Sequence, residues 1–182
     1  MSNLTKYINI RHLHYGYNPD PDTEILIIGT FNPGTDTNKA DFFYGRPKNH
    51  LWTLLPAAFG EPDLKGQTKK NKIEFIRKHK IDFTDLISAI SIPKGSEADY
   101  LDSFIDGKVT EWNNVISIIS ELKNLKKVCF TRKTFSAIPN IKRKIEEVRE
   151  YCENHGIFFR YMITPARIYS EVKQEEWSDF IL

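Results

Sequence analysis

The chain has 182 residues, 26 Lys and Arg against 24 Asp and Glu, and 40% hydrophobic residues. That length and balance fit one folded domain over residues 1–182, with 1–22 as an N-terminal extension, and exclude a disordered chain. No apolar run reaches the roughly 20 residues needed to span a bilayer, and Met1-Ser-Asn-Leu-Thr-Lys6 lacks the apolar stretch of a signal peptide. The two cysteines, Cys129 and Cys152, are too few and too far apart for a disulfide framework or a metal cluster, so a reducing cytoplasm is the expected compartment.

The net charge of +2 says little, but its distribution says more. Residues 65–80 carry Lys65, Lys69, Lys70, Lys72, Arg77, Lys78 and Lys80 against one acid, Glu74. A second basic group is Lys123, Lys126, Lys127, Arg132 and Lys133. Such groups form either a footprint for a phosphate backbone or solvated helix faces, and composition favours solvated faces.

In chain order, the first feature is His12-Leu-His14, with metal-like spacing but no acid or cysteine cluster beside it. It reads as part of a structural N-terminal segment. Glu24 to Thr30 follows as a buried strand, bounded by Asp20-Pro-Asp22 and Asn32-Pro-Gly34. His50 to Phe59 has Leu51, Trp52, Leu55 and Phe59 at helical spacing, with Pro56 marking a kink or an early end. Gln67 to Lys80 is a basic helix with Ile73, Phe75 and Ile76 inward. Ile81 to Ile87 is a second strand or an extended segment. Pro93 to Glu97 is a loop. Thr110 to Leu122 puts Trp112, Val115, Ile116, Ile119 and Leu122 on one helix face. Lys127 to Thr131 is a third strand. Asn140 to Asn154 places Ile141, Ile145, Val148 and Cys152 on one stripe, closed by His155-Gly156. Ile157 to Ile163 is a fourth strand, and a last helix runs from Glu171. Strands alternating with helices predict an α/β fold, a three-layer α/β/α sandwich around a mostly parallel four-stranded sheet.

In such folds ligands bind outside the carboxyl ends of the strands. Three loops qualify: residues 30–49, 131–134 and 164–170. In the first, Asn32 offers a carboxamide donor and acceptor for a water or a substrate amide. Phe42, Phe43 and Tyr44 offer faces for stacking a planar base. Arg46 and Lys48 suit phosphates, and Asn49 either caps the next helix or bonds a base edge. In the last loop, the Thr164-Pro165 turn, Arg167 and Tyr169 suit phosphate and apolar contacts. Each of these also has an ordinary structural reading. The chain has no Walker loop, no G-x-G-x-x-G and no G-x-S-x-G elbow, which argues against nucleotide-hydrolysing, dehydrogenase and hydrolase chemistries of those kinds.

Taken together, these segments resemble the uracil-DNA glycosylase superfamily. Gly29-Thr-Phe-Asn-Pro-Gly34 is similar to its first motif, Gly-x-Asn/Asp-Pro. Tyr44-Gly-Arg-Pro-Lys-Asn-His-Leu-Trp52 is similar to the loop that follows it in the mismatch-specific branch. Tyr100-Leu-Asp-Ser103, Trp112-Asn-Asn-Val115 and Cys129-Phe-Thr131 resemble, in order, segments of the hypoxanthine-DNA glycosylase branch. Thr164-Pro-Ala166 maps onto the second motif, and Lys173 to Trp177 onto the closing helix. The resemblance covers nearly the whole chain from residue 24 onward.

The resemblance implies a DNA glycosylase that flips a deaminated base, uracil or hypoxanthine, into a pocket and hydrolyses its glycosidic bond. Tyr44, with Phe31 and Phe43, would contact the base. Asn32 or Asn49 would position the attacking water. Arg46, Lys48, Thr164, Arg167 and Tyr169 would hold DNA. No metal or cofactor is implied, and the chain would act as a monomer on DNA, away from membranes. Two residues separate Gly29 from Asn32 where the pattern has one, so either the turn bulges or Phe31 takes the catalytic slot. The alternative on the same fold is a catalytically silent nucleic-acid- or nucleotide-binding protein.

Overall fold

The computed structural model describes residues 6–97 and 100–182. Residues 1–5 of the opening segment lie outside it. The central sheet is parallel throughout, in the order β3-β2-β6-β7. Its strands are Ile81–Asp85 (β3), Ile25–Gly29 (β2), Lys127–Phe130 (β6) and Phe158–Tyr161 (β7). Alternation along the strands splits the core in two. Leu26, Ile28, Val128 and Phe130 join one cluster with Ile141, Ile145, Val148 and Cys152. The latter four line the buried stripe of the helix Pro139–Asn154 (α5). Ile25, Ile27, Phe83 and Cys129 join the other cluster. They meet the helices Leu51–Ala58 (α1), Lys69–His79 (α2) and Glu171–Ile181 (α6). The three layers are those expected from the sequence.

A second sheet goes beyond that expectation. Tyr7–Arg11 (β1) pairs antiparallel with Ile87–Pro93 (β4), which pairs with Val109–Trp112 (β5). The stretch read as one strand over residues 81–87 therefore ends at Asp85, and a new strand starts at Ile87. The stretch 110–122, expected as one helix, also divides. Trp112 belongs to β5, and the helix α4 spans Val115–Glu121. Asn114 starts it by accepting the Ser117 N–H, while Asn113 donates to Thr84 Oγ1 and the Asp85 carbonyl. Two adjacent asparagines that bond backbone break a helical pattern which apolar spacing alone would continue.

The N-terminal residues are structural, but not an appendage. Beyond β1 the backbone of His12 donates to Ser88, Leu13 donates to the Asn32 carbonyl, and Gly34 donates to the Arg11 carbonyl. This threads the chain between β4 and the turn after β2. It also covers the outer edge of β3, where Asp82 accepts from the Tyr17 hydroxyl and the Asp20 N–H. An unpaired sheet edge is closed in that way.

Candidate active site

The carboxyl ends of β2 and β3 meet at Gly29 and Asp85, which are partners in register. Alternation puts both on the face that carries Ile27 and Phe83. A Cβ on Gly29 would collide with Asp85 Oδ1 and stand 2.7 Å from the Tyr44 hydroxyl oxygen. Two polar atoms thus occupy the space that any larger residue would fill.

Tyr44 adopts φ +55°, a left-handed conformation that costs a non-glycine residue on the order of 1 kcal/mol or more. The indole N–H of Trp52 holds this bend by donating to the Phe43 carbonyl at 2.7 Å. The Tyr44 hydroxyl lies 3.5 Å from Thr131 Oγ1, just past β6. Burial, then the nearby Asp85 carboxylate, pushes that hydroxyl well above the usual phenol range, so it remains a donor. On the far side, Asp102 begins a short helix, Asp102–Ile105 (α3). It accepts from Thr30 Oγ1 and pairs with Arg132. Burial raises its carboxyl, and the Arg132 and Thr30 contacts oppose that rise. Arg46 lies within the field of Asp85 and Tyr100, which counters the lowering of its guanidinium by desolvation.

The loop after β7 joins the same region. Asn49 forms an antiparallel bridge with Ala166. The His50 N–H donates to the Pro165 carbonyl at 2.9 Å, and the Arg167 N–H donates to the Lys48 carbonyl at 2.8 Å. Lys173 pins the loop through the Ala166 carbonyl at 2.7 Å. Arg167 has φ +76°, so both loops carry a residue in the left-handed region.

The residues expected to form the site are divided by this geometry. Asn32 is buried, and its carboxamide oxygen accepts from Asn38 at 2.7 Å. One acceptor site of that oxygen is used within the turn, and the Asn32 amide nitrogen makes no hydrogen bond among the described residues. Phe31 sits between the rings of His12 and Tyr100, at 5.9 and 6.4 Å. Phe43 is 2% exposed and stacks on Phe83. Its ring packs in the core and also lines a cavity shared with His12, Tyr17 and Asp85. Asn49 accepts the Leu51 N–H on its side-chain oxygen at 2.9 Å, which leaves its amide nitrogen without a partner among the described residues. Arg46, Lys48 and Arg167 are exposed and make no ion pair among the described residues. Thr164 is exposed, with its hydroxyl accepting from the Ala166 N–H, and Tyr169 is 41% exposed beside His50.

Sequence reasoning gave no role to His12, Asp85, Asp102 or Arg132. A carboxylate at the last position of a buried strand was the available signal for Asp85. Nothing in the sequence pairs it with His12, 73 positions away.

A parallel sheet with polar loops gathered at the carboxyl ends of its strands is where an open α/β protein carries a ligand site. No protein-family profile matches the chain. It is 32% identical over 115 residues to the hypoxanthine DNA glycosylase of Methanosarcina barkeri, a match spanning 63% of this chain and 66% of that relative. It is 26% identical to the hypoxanthine DNA glycosylase of Methanosarcina acetivorans over 87% of this chain and 90% of that one. The fold matches the solution NMR structure of a proposed uracil DNA glycosylase from Methanosarcina acetivorans. The TM-score is 0.61 at 22% identity, over 90% of this chain and 91% of that one. The chain belongs to the uracil-DNA glycosylase superfamily, on its hypoxanthine-DNA glycosylase branch.

Proposed function

We propose that the protein is a DNA glycosylase that flips a deaminated base out of DNA and hydrolyses its N-glycosidic bond, the first step of base excision. The observation that carries this reading is the backbone pairing of residues 48–50 with 165–167. It brings the two loops that resemble the superfamily motifs to one side of Gly29 and Tyr44. The relatives' names add to it, and they do not favour a silent binding protein.

The chemistry available fits a deaminated base. Deamination replaces an exocyclic amino group with a carbonyl, as in uracil and hypoxanthine. The Asn49 amide nitrogen is a donor, so it rewards the carbonyl and leaves the amino group unmatched. Tyr44 and Phe31 bound the space for the base. Arg46, Lys48 and Arg167 suit backbone phosphates, and the Thr164 turn suits another. Ile168, 76% exposed beside Tyr169, suits the gap left in the stack. In this reading the protein works as a monomer in the cytoplasm, without metal or cofactor.

The test is incubation with labelled duplex and single-stranded oligonucleotides bearing one uracil, hypoxanthine or xanthine, followed by alkali. Strand cleavage at the altered base is expected, and Asn49→Ala is expected to lose far more of it than Asn32→Ala. No abasic product from any substrate overturns the proposal.

A further inference from the structure

We infer that Asp85 is a catalytic carboxylate of this site and that His12, delivered from the N-terminal strand, is its positioning residue. This rests on the glycosylase reading above.

Residues 30–34, the turn after β2, carry no carboxylate, and the oxygen of Asn32 there accepts from Asn38. The neighbouring strand supplies what that turn lacks. Asp85 stands opposite Gly29 in register and leans its Oδ1 over the glycine, next to the Tyr44 hydroxyl. Its side chain is 8% exposed and lines a cavity beside His12 and Thr84. Oδ1 receives no donated hydrogen bond among the described residues.

Oδ2 is held differently. His12 Nε2 lies 2.7 Å from it. The backbone N–H of His14 donates to His12 Nδ1 at 3.0 Å. Nδ1 is therefore the acceptor nitrogen, and the proton of a neutral imidazole sits on Nε2, aimed at the carboxylate. This arrangement fixes the carboxylate rotamer of Asp85. The imidazole is itself fixed by the segment threaded between β4 and the turn after β2. That gives the pairing of β1 a purpose beyond covering a sheet edge.

The step balances as follows. The glycosidic C1′–N bond breaks with its electron pair leaving on the base, and positive charge develops on C1′ and the ring oxygen. The Asp85 carboxylate stabilises that charge. A water oxygen bonds to C1′, its proton passes to Asp85, and from there to the departing base or solvent.

Single-turnover excision on a hypoxanthine or uracil duplex tests this, alongside binding of a non-hydrolysable 2′-fluoro analogue and thermal melting. Asp85→Asn keeps the shape and removes the charge. It should lower the rate by about 100-fold or more while analogue affinity and melting stay near wild type. His12→Gln can still donate to Oδ2 and should keep much more activity than His12→Leu. Wild-type rate in Asp85→Asn overturns the inference and leaves the glycosylase reading standing. If Asp85→Asn does not fold, equal rates for His12→Gln and His12→Leu overturn it instead. A wild-type chain silent on every oligonucleotide overturns both readings.

Discussion

At Gly29 a hydrogen stands where any other residue would place a carbon, and the space it frees holds Asp85 Oδ1 and the Tyr44 hydroxyl. The two groups come from different layers of sequence, 41 positions apart, so neither can yield without shifting a strand end or a strained bend. Gly29→Ala is therefore expected to push both aside. Overpacking of this kind costs about 1–3 kcal/mol, which a melting curve would read as a modest loss. Excision should fall far more steeply than stability, and an alanine variant with wild-type excision would show that the two side chains do not need their present places. Asn32 makes the complementary point. Its carboxamide oxygen accepts from Asn38, so part of its hydrogen-bonding capacity is used within the turn.

Elements matter here as clamps on loops. The helix α6 starts at Ser170, whose hydroxyl accepts the Lys173 N–H. From there it reaches back to the loop after β7 with three side chains. Lys173 holds the Ala166 carbonyl, Glu176 accepts the Ile163 N–H, and the Trp177 indole donates to the Ile163 carbonyl. Trp177→Phe should remove the last bond and some volume at a fully buried position. The expected loss is about 2 kcal/mol, or about 4–8 °C in Tm. An unchanged Tm by circular dichroism would show that the indole is not part of the clamp. The helix α5 is started in a similar way from outside, by the Asp106 carboxylate accepting the Asn140 and Ile141 N–H groups.

Across the whole molecule, charge is mostly spent on internal pairing. Glu24 takes Lys80 and Lys126, Glu61 takes Lys78 and His79, and Asp41 takes Lys72. The basic groups legible in the sequence are thus largely neutralised in place, and the cations left over at the site are Arg46, Lys48 and Arg167. Acid sensitivity has a more local origin. Burial, with His12 and Lys69 close by, lowers His14 to about 4, from 6.5 for a free imidazole. Its Nε2 is buried without a partner. Between those two values the unfolded chain binds a proton that the native one refuses, so His14 makes stability fall as pH drops from 6.5 to about 4. The contribution is on the order of 1–2 kcal/mol. His14→Phe should flatten the decline of Tm between pH 7 and pH 5 relative to wild type, and parallel declines would assign the effect to other groups.

Four strands of the central sheet, the α5 stripe and the two site loops were all legible in the sequence. Each is written in local periodicity or in a short run of turn, aromatic and polar residues. The second sheet was not legible, because a pairing of β1 with β4 joins segments some 80 positions apart and leaves no local period to read. For the same reason the sequence picked out candidate loops but could not rank their residues. What each carboxamide bonds, which aromatic ring is enclosed and which carboxylate faces Gly29 depend on strand register and on how the loops pack. Register moves side chains from one face of a sheet to the other, and only the tertiary structure sets it. The sequence by itself determined the superfamily and the layered parallel sheet. Tertiary packing decided that His12 and Asp85 meet at the end of β3.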